Sequence, residues 1–222
     1  MGGILVVEDE QRIASFLERA LSVCGLEVTC ATNGHMGLEM LEREPYDLVL
    51  LDLLLPGLDG FAFLERAFET RPTQEILVLS ALSDVASKVK CLELGAADYV
   101  TKPFILAELV ARIRTRLRQS QAVSTTRFLD VGDLRLDLQR RMVSHKGERI
   151  ALSTREFHLL EHLMRHAGDV CRREELLASV WGYTFDPGTN VVDVYIRRLR
   201  GKLGDDFIET VRNVGYCFAS PS

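Results

Sequence analysis

The chain of 222 residues lacks several features that would direct its reading elsewhere. No apolar run approaches the roughly 18 residues needed to span a bilayer. Met1-Gly2-Gly3 passes straight into Ile4-Leu5-Val6-Val7 without a basic segment, so a secretory leader is not expected. Val6 stands where N-myristoylation wants Ser or Thr. Neither G-x-x-x-x-G-K-[ST] nor G-x-G-x-x-G occurs, which removes the common nucleotide loops. The five cysteines, Cys24, Cys30, Cys91, Cys171 and Cys217, are odd in number, contain no Cys-x-x-Cys and sit in apolar patterns. They read as buried, reduced thiols of a cytoplasmic protein. With 27 Lys/Arg, 32 Asp/Glu, a net charge of -5 and 47% hydrophobic residues, the composition excludes disorder, collagen and coiled coil.

What is present is unevenly distributed. The length fits one large domain or two small ones, each able to bury a core. Residues 1–119 carry 12 Lys/Arg and 18 Asp/Glu, whereas residues 120–222 carry 15 and 14, so the halves are expected to have different partners. Between them Gln119-Ser-Gln-Ala-Val-Ser-Thr-Thr126 has weak apolar periodicity and small polar residues. The expected division is a first domain at 1–119, a linker at 120–127 and a second domain at 128–222.

In the first half, strand-length apolar runs recur at 4–7, 27–31, 46–51, 76–79 and 98–100, separated by ten or more residues of helical spacing. That alternation marks a parallel sheet covered by helices on both faces. Leu48-Val49-Leu50-Leu51 shows no polar alternation, as a strand buried on both sides would. The expected fold class is α/β, a doubly wound five-stranded flavodoxin-like sheet, whose ligands sit beyond the carboxyl ends of the strands. There the sequence puts Glu8, Asp9 and Glu10 after the first strand, Asp52 at the end of the third, Ser80 at the end of the fourth and Lys102 after the fifth. Acids after one strand can simply favour the next helix N-terminus. Several converging carboxylates, however, repel one another and raise a pKa unless a cation neutralises them. An all-oxygen donor set points to a hard ion such as Mg2+.

These residues resemble a family. Val-Val-Glu8-Asp9-Glu10, Leu-Leu-Asp52-Leu-Leu-Leu-Pro56-Gly57-Leu-Asp-Gly60, Leu-Ser80-Ala81 and Asp98-Tyr99-Val-Thr-Lys102-Pro103-Phe104 are similar to the receiver domain of two-component response regulators, over about residues 3–118. The resemblance implies that Asp52 accepts a phosphoryl group from a sensor histidine kinase. It further implies that Glu8, Asp9, Asp52 and the Leu54 carbonyl hold Mg2+, that Lys102 pairs with the phosphoryl oxygens, and that the bond before Pro103 is cis. Ser80 and Tyr99 are then the switch: the hydroxyl moves toward the phosphoryl group and the ring turns inward. A homodimer follows, with Lys88–Glu108 and Asp98–Arg112 as pairs between subunits, while Ala97 and Gln119 stand where a third pair is common. Independently, a carboxylate can act as nucleophile toward phosphorus, and the transfer asks chiefly for positioning and charge neutralisation.

The second half is expected to be a smaller α+β winged-helix domain. Strand-like pieces fall at 128–131, 134–138, 142–144 and 149–150; Ser153-Thr-Arg-Glu156 reads as a capping box opening a helix. Further helices are predicted at 172–180 and 190–203, then strands at 207–211 and 216–219 around Arg212-Asn213-Val214-Gly215. His158-Leu-Leu-Glu161-His162 matches the H-x-x-E-H zinc-peptidase pattern, and His166 continues the row. Lying opposite Phe157 and Met164, these residues read instead as a solvated polar face.

In the last helix Val192, Ile196, Leu199 and Leu203 form a core stripe, which turns Asn190, Val191, Val194, Arg197, Arg198 and Gly201 outward. Arg197, Arg198, Arg200 and Lys202 face a single acid, Asp193. In a helix-turn-helix such a helix enters the major groove, where Arg reads guanine and basic neighbours clamp phosphates. Gly201 weakens the helix, and close approach to DNA is the compensation this reading offers. This half resembles the OmpR/PhoB-type DNA-binding domain through Leu152-Ser-Thr-Arg-Glu156-Phe157, Val180-Trp181-Gly182, Val192-Asp193-Val194-Tyr195-Ile196-Arg197-Arg198-Leu199-Arg200 and Thr210-Val211-Arg212-Asn-Val-Gly215-Tyr216. The resemblance implies DNA contacts from Asn190, Val191, Val194, Tyr195, Arg197, Arg198, Arg200 and Lys202, Arg212 in the minor groove, and RNA polymerase at the 181–189 loop. Asn190 and Val191 replace the Arg and Thr of some relatives, so base preference does not carry over.

The expectation is a non-enzymatic, phosphorylation-activated transcriptional regulator acting on promoter DNA in the cytoplasm, with no membrane partner. Two alternatives are a regulator of the same fold activated without phosphate and a phosphatase-like enzyme using Asp52, the latter lacking an evident general acid.

Overall fold

The computed structural model describes residues 3–121, 127–182 and 190–219, without the side chains of 118–121. The chain divides into two compact units, Met1–Ala122 and Val123–Ser222. Most of the expected linker, residues 122–126, lies outside the described residues.

The first unit alternates strand and helix: β1 Gly3–Val7, α1 Gln11–Val23, β2 Val28–Ala31, α2 Gly34–Arg43, β3 Tyr46–Asp52, α3 Gly60–Thr70, β4 Ile76–Ser80, α4 Val85–Leu94, β5 Asp98–Thr101 and α5 Leu106–Gln121. The strands pair in parallel in the order β2-β1-β3-β4-β5. Reversal of strand order at β1/β3 opens a crevice at their carboxyl ends. Side chains alternate between two cores. Leu5, Val7, Val49, Leu51, Ile76 and Val78 pack toward α2 and α3, while Ile4, Val6, Leu48, Leu50, Leu77 and Leu79 pack toward α1 and α5. The uniformly apolar run Leu48–Leu51 is at most 1% exposed, so burial on both faces accounts for its lack of alternation. Each such side chain contributes about 1.5–3 kcal/mol of transfer free energy.

The second unit begins with an antiparallel sheet in chain order, β6 Phe128–Val131, β7 Leu134–Asp137, β8 Met142–His145 and β9 Glu148–Ile150. Helix α6, Thr154–Arg165, starts at the expected capping box: Ser153 N donates to Glu156 at 2.7 Å and Glu156 N to Ser153 Oγ at 3.4 Å. There follow β10 Val170–Arg172, α7 Arg173–Leu176 running into a π-helical turn at Leu177–Trp181, α8 Val191–Leu203, β11 Ile208–Val211 and β12 Gly215–Phe218. The terminal hairpin is part of a three-stranded sheet, β10-β12-β11, because residues just before and at the start of the expected helix pair instead with β12. Three residues are too few to carry a periodic signal. Their partner strand needs Gly215, where a Cβ would lie 2.0 Å from the Cys171 carbonyl oxygen. Of the cysteines, Cys91 and Cys171 are buried, but Cys24, Cys30 and Cys217 are only partly so. No described helix is long and apolar enough to cross a membrane.

Candidate functional site

At the carboxyl edge of the parallel sheet, β1 delivers Glu8 and Asp9, and β3 delivers Asp52. One carboxylate oxygen from each lies within 4.8 Å of the others. Glu8 and Asp52 are 2% and 6% exposed; Asp9 is open to solvent. From the end of β5 the Lys102 Nζ reaches Glu8 Oε2 and Asp52 Oδ2, both at 2.6 Å. Burial pushes the Glu8 pKa up, against the opposing pull of Lys102, and the nearby Asp52 charge adds to the rise. Lys102 itself titrates higher than usual: burial is the largest single effect and lowers its pKa, but the two carboxylates together outweigh it. Three carboxylates face one ammonium, leaving two negative charges that a divalent ion would balance. The donors are all oxygen, as hard cations require.

Local structure holds this loop. Leu54 N donates to Asp52 Oδ1 at 3.0 Å, fixing the carboxylate against its own backbone. Gly60 N bonds the Leu53 carbonyl at 2.9 Å, and a Cβ on Gly60 would stand 2.4 Å from Leu53 Cα. The start of α3 therefore closes directly on the Asp52 turn. The Lys102–Pro103 peptide is cis.

Ser80, fully buried at the end of β4, accepts from Leu82 N at 3.3 Å, and Tyr99 Oη donates to the Leu82 carbonyl at 2.6 Å. Tyr99 is 8% exposed, its ring held inward. The Lys88 ammonium lies 5.9 Å from that ring's centre. The residues assigned to pairs between subunits are joined differently within the chain. Arg112 reaches Asp98 Oδ2 at 3.1 Å and Glu108 at 2.8 Å, and Arg116, one turn further along α5, reaches Asp98 at 3.3 Å. Asp98 is 1% exposed, so the arginines are tied to an interior acid.

In the second unit, α8 corrects the expected outward face. Val191 and Tyr195 are fully buried. The reason is geometric: Val191, Tyr195 and Leu199 form a second apolar line at i, i+4, i+8 beside Val192, Ile196 and Leu203, giving the broad stripe of a helix embedded in a core. Tyr195 packs edge-on against Trp181 at 5.3 Å. Asn190, Arg197, Arg198 and Gly201 are exposed and Val194 partly so. A Cβ on Gly201 would meet nothing within 4 Å, so packing inside the chain does not demand glycine there.

The basic residues of α8 divide into two pairs. Arg197 and Arg198 face outward, Arg198 lying 5.2 Å from the Tyr195 ring. Arg200 instead donates to the Ile208 carbonyl at 2.6 Å and to Thr210 Oγ1 at 2.8 Å, and Lys202 binds Glu156 Oε2 at 2.7 Å and the Ala151 carbonyl at 3.0 Å. Asp193 is held by Tyr216 Oη at 2.5 Å and Arg173 Nε at 3.0 Å. Arg212 is exposed in the β11–β12 turn. Of the 181–189 loop, residues 183–189 lie outside the described residues.

The His158–His162 pattern does not assemble a peptidase centre. Glu161 pairs with Arg165 at 2.8 Å and lies 3.6 Å from His158. Nor is the face simply solvated: the His158, Glu161 and His162 side chains are 19%, 23% and 16% exposed. Sequence reasoning missed what covers His162 and His166, namely the β10–α7 segment with Cys171 and Glu175.

Comparisons with known proteins find relatives of both units. The family model described as the response regulator receiver domain matches residues 4–114, and that described as the C-terminal part of transcriptional regulatory proteins matches residues 147–218. The chain is 42% identical to the transcriptional regulatory protein CusR of Escherichia coli K12, over 98% of each chain. It is 45% identical to the transcriptional activator protein IrlR of Burkholderia pseudomallei 1026b, over 96% of this chain and 94% of that one. Among solved structures, a single-residue mutant of RitR matches with a TM-score of 0.78 at 34% identity over 100% of both chains. The response regulator DrrB, an OmpR/PhoB homolog of Thermotoga maritima, matches with 0.52 at 35% over 99% of this chain and 100% of that one. A receiver fold joined to a DNA-binding unit, in a chain alike over nearly its whole length to named regulators, makes this protein a non-enzymatic transcriptional regulator belonging to the OmpR/PhoB family of two-component response regulators.

Proposed function

We propose that Asp52 is the phosphoacceptor for a sensor histidine kinase and that its phosphorylation controls promoter binding by the second unit. The observation that carries this reading is the convergence of Glu8, Asp9 and Asp52 around a single ammonium, Lys102, 2.6 Å from both Glu8 and Asp52. An Asp52 oxygen attacks the phosphorus of a phosphohistidine; the P–N bond breaks as the P–O bond of an acyl phosphate forms, and the electron pair leaves with the imidazole nitrogen. Glu8, Asp9, Asp52 and the Leu54 carbonyl would hold Mg2+, which would supply charge neutralisation for the incoming group. Lys102 gives up its direct hold on Asp52 and pairs with phosphoryl oxygens, which bring roughly -1.5 to -2 charges. The backbone bond from Leu54 N keeps Asp52 aimed during the exchange. Ser80 donates to the phosphoryl group, and its bond with Leu82 N, next to the Tyr99–Leu82 bond, supports Ser80 and Tyr99 as one switch.

The output is a homodimer of receivers that sets two winged helices on repeated half-sites. In this reading Arg112 exchanges a contact within the chain for one with a partner subunit, alongside Lys88, Glu108 and Asp98. Exposed pairs contribute about 0–1 kcal/mol each, so the dimer is weak and responsive. Asn190, Val194, Arg197 and Arg198 meet the major groove, Arg212 the minor groove, and the 181–189 loop RNA polymerase. The protein acts in the cytoplasm, with its domains joined at 120–127. Mass spectrometry of protein incubated with Mg2+ and acetyl phosphate tests the central step. The expected result is one added phosphoryl group, absent from Asp52→Asn; an unmodified wild type, or an adduct that persists in Asp52→Asn, refutes it.

A further inference from the structure

Outside the acidic cluster, one other group of side chains has the composition of a metal site. His162 and His166 lie one turn apart at the end of α6. Cys171 of β10 and Glu175 of α7 are brought against them, and one ligand atom from each of the four lies within 4.8 Å of the others. Cys171 is 2% exposed, and the imidazoles are partly buried with centroids 4.5 Å apart. Two imidazoles, a thiol and a carboxylate form a borderline-soft donor set of four, the number and type that Zn2+ takes in tetrahedral sites.

We propose that His162, His166, Cys171 and Glu175 form a zinc site in the DNA-binding unit, separate from the phosphoacceptor cluster. Hydrogen bonding favours ligation. His166 Nδ1 lies 2.8 Å from the His162 carbonyl oxygen. A carbonyl only accepts, so Nδ1 carries the proton and Nε2 of the neutral ring presents its lone pair. This is the arrangement by which a ligand histidine's other nitrogen is anchored. His162 Nε2 is 2.9 Å from Glu175 Oε1, close to the edge of about 3.3 Å expected of a tetrahedron with 2.0–2.1 Å bonds. The wider separations, up to 4.8 Å, require closure by at most about 1.5 Å, within reach of side-chain rotation at the partly exposed Glu175 and His166. Binding would release the Cys171 thiol proton, and His162 would present its Nε2 lone pair with the proton of the neutral ring on Nδ1. Binding would also tie the end of α6 to the turn carrying Arg173, which holds Asp193 of α8 at 3.0 Å.

The site is not the H-x-x-E-H pattern. It uses His162 but not His158 or Glu161, and all four side-chain positions are filled, leaving no open position for a catalytic water.

The test is titration of the full chain with Zn2+ against a chelating dye, in excess Mg2+ to occupy the acidic cluster, alongside Co2+ substitution. One Zn2+ per chain should bind, and Co2+ should give a thiolate charge-transfer band. Cys171→Ser should lose that band while Cys217→Ser, altered on the neighbouring strand, keeps it. His166→Gln, a change at a partly exposed residue, should weaken Zn2+ binding at least about tenfold with the metal-free circular dichroism unchanged. No bound Zn2+, a cobalt band that survives Cys171→Ser, or a Zn2+ affinity unmoved in His166→Gln would overturn the proposal.

Discussion

The receiver's acidic sites and helix α8 of the second unit dispose their charge differently. In the receiver, ionised groups are drawn inward: Glu8, Asp52 and Asp98 are at most 6% exposed, and each is met by Lys102, Arg112 or Arg116. On α8 the charge nominally available to DNA is divided. Arg197 and Arg198 stay outward, while Arg200 and Lys202 are bound to carbonyls, a hydroxyl and a carboxylate of their own unit. A buried ion pair is sensitive to the loss of either partner, because the remaining charge is left desolvated. An exposed arginine awaiting a ligand contributes little to folding, so its loss should register only in binding. The contrast separates residues whose substitution disturbs the fold from residues whose substitution disturbs recognition.

The largest expected effect breaks the buried side of that contrast. Asp98→Ala removes the carboxylate facing Arg112 and the buried Arg116, together with the acceptor for Tyr99 N at 2.8 Å. The receiver's unfolding transition should lose about 3 kcal/mol. A loss under about 1 kcal/mol in denaturant titration would mean that the pair is exchangeable, as a surface pair is.

On the exposed side, Arg198→Ala should cost about 1–3 kcal/mol in binding a cognate site while leaving the winged-helix transition unmoved within about 0.5 kcal/mol. Equal affinity for cognate DNA would remove Arg198 from the recognition surface. Lys202→Ala gives the opposite pattern. Its ammonium bonds the carboxylate of Glu156, itself part of the capping box, so stability should fall by about 1 kcal/mol, with the salt dependence of non-specific binding unchanged. A flatter salt slope at unchanged stability would restore Lys202 to the phosphate contacts expected from counting basic residues along the helix.

Why that count misled is physical. Sequence shows which residue types share a helix but not which are bound to their own chain. Lys202 and Glu156 are 46 residues apart, and no local pattern links them. The receiver was more legible because its functional residues sit at strand ends, positions that the alternation of apolar runs defines. The apolar line Val191, Tyr195, Leu199 is legible in the sequence as an i, i+4, i+8 series beside the Val192 stripe. The three residues of β10 lay below any periodic signal, and with them went the neighbours of His162 and His166.

The smallest effect tests whether the inward Tyr99 belongs to the buried regime. Tyr99→Phe deletes the 2.6 Å bond to the Leu82 carbonyl and should destabilise the receiver by about 1 kcal/mol near neutral pH. Burial pushes the Tyr99 phenol up to about 12. A tyrosine of the unfolded chain titrates near its ordinary value of about 10. Between those values the unfolded chain releases a proton that the folded chain retains, so stability contributed by Tyr99 declines as pH rises through that window. The phenylalanine variant has no such proton to lose. The Cys91 thiol, also raised to about 12 by burial, is common to both proteins and cancels in their difference. Receiver melting temperatures of wild type and Tyr99→Phe should therefore draw together as pH rises from about 10 to about 12. A constant gap would mean that the phenol titrates as a solvated group, and that Tyr99 leaves its pocket more readily than its hydrogen bond indicates.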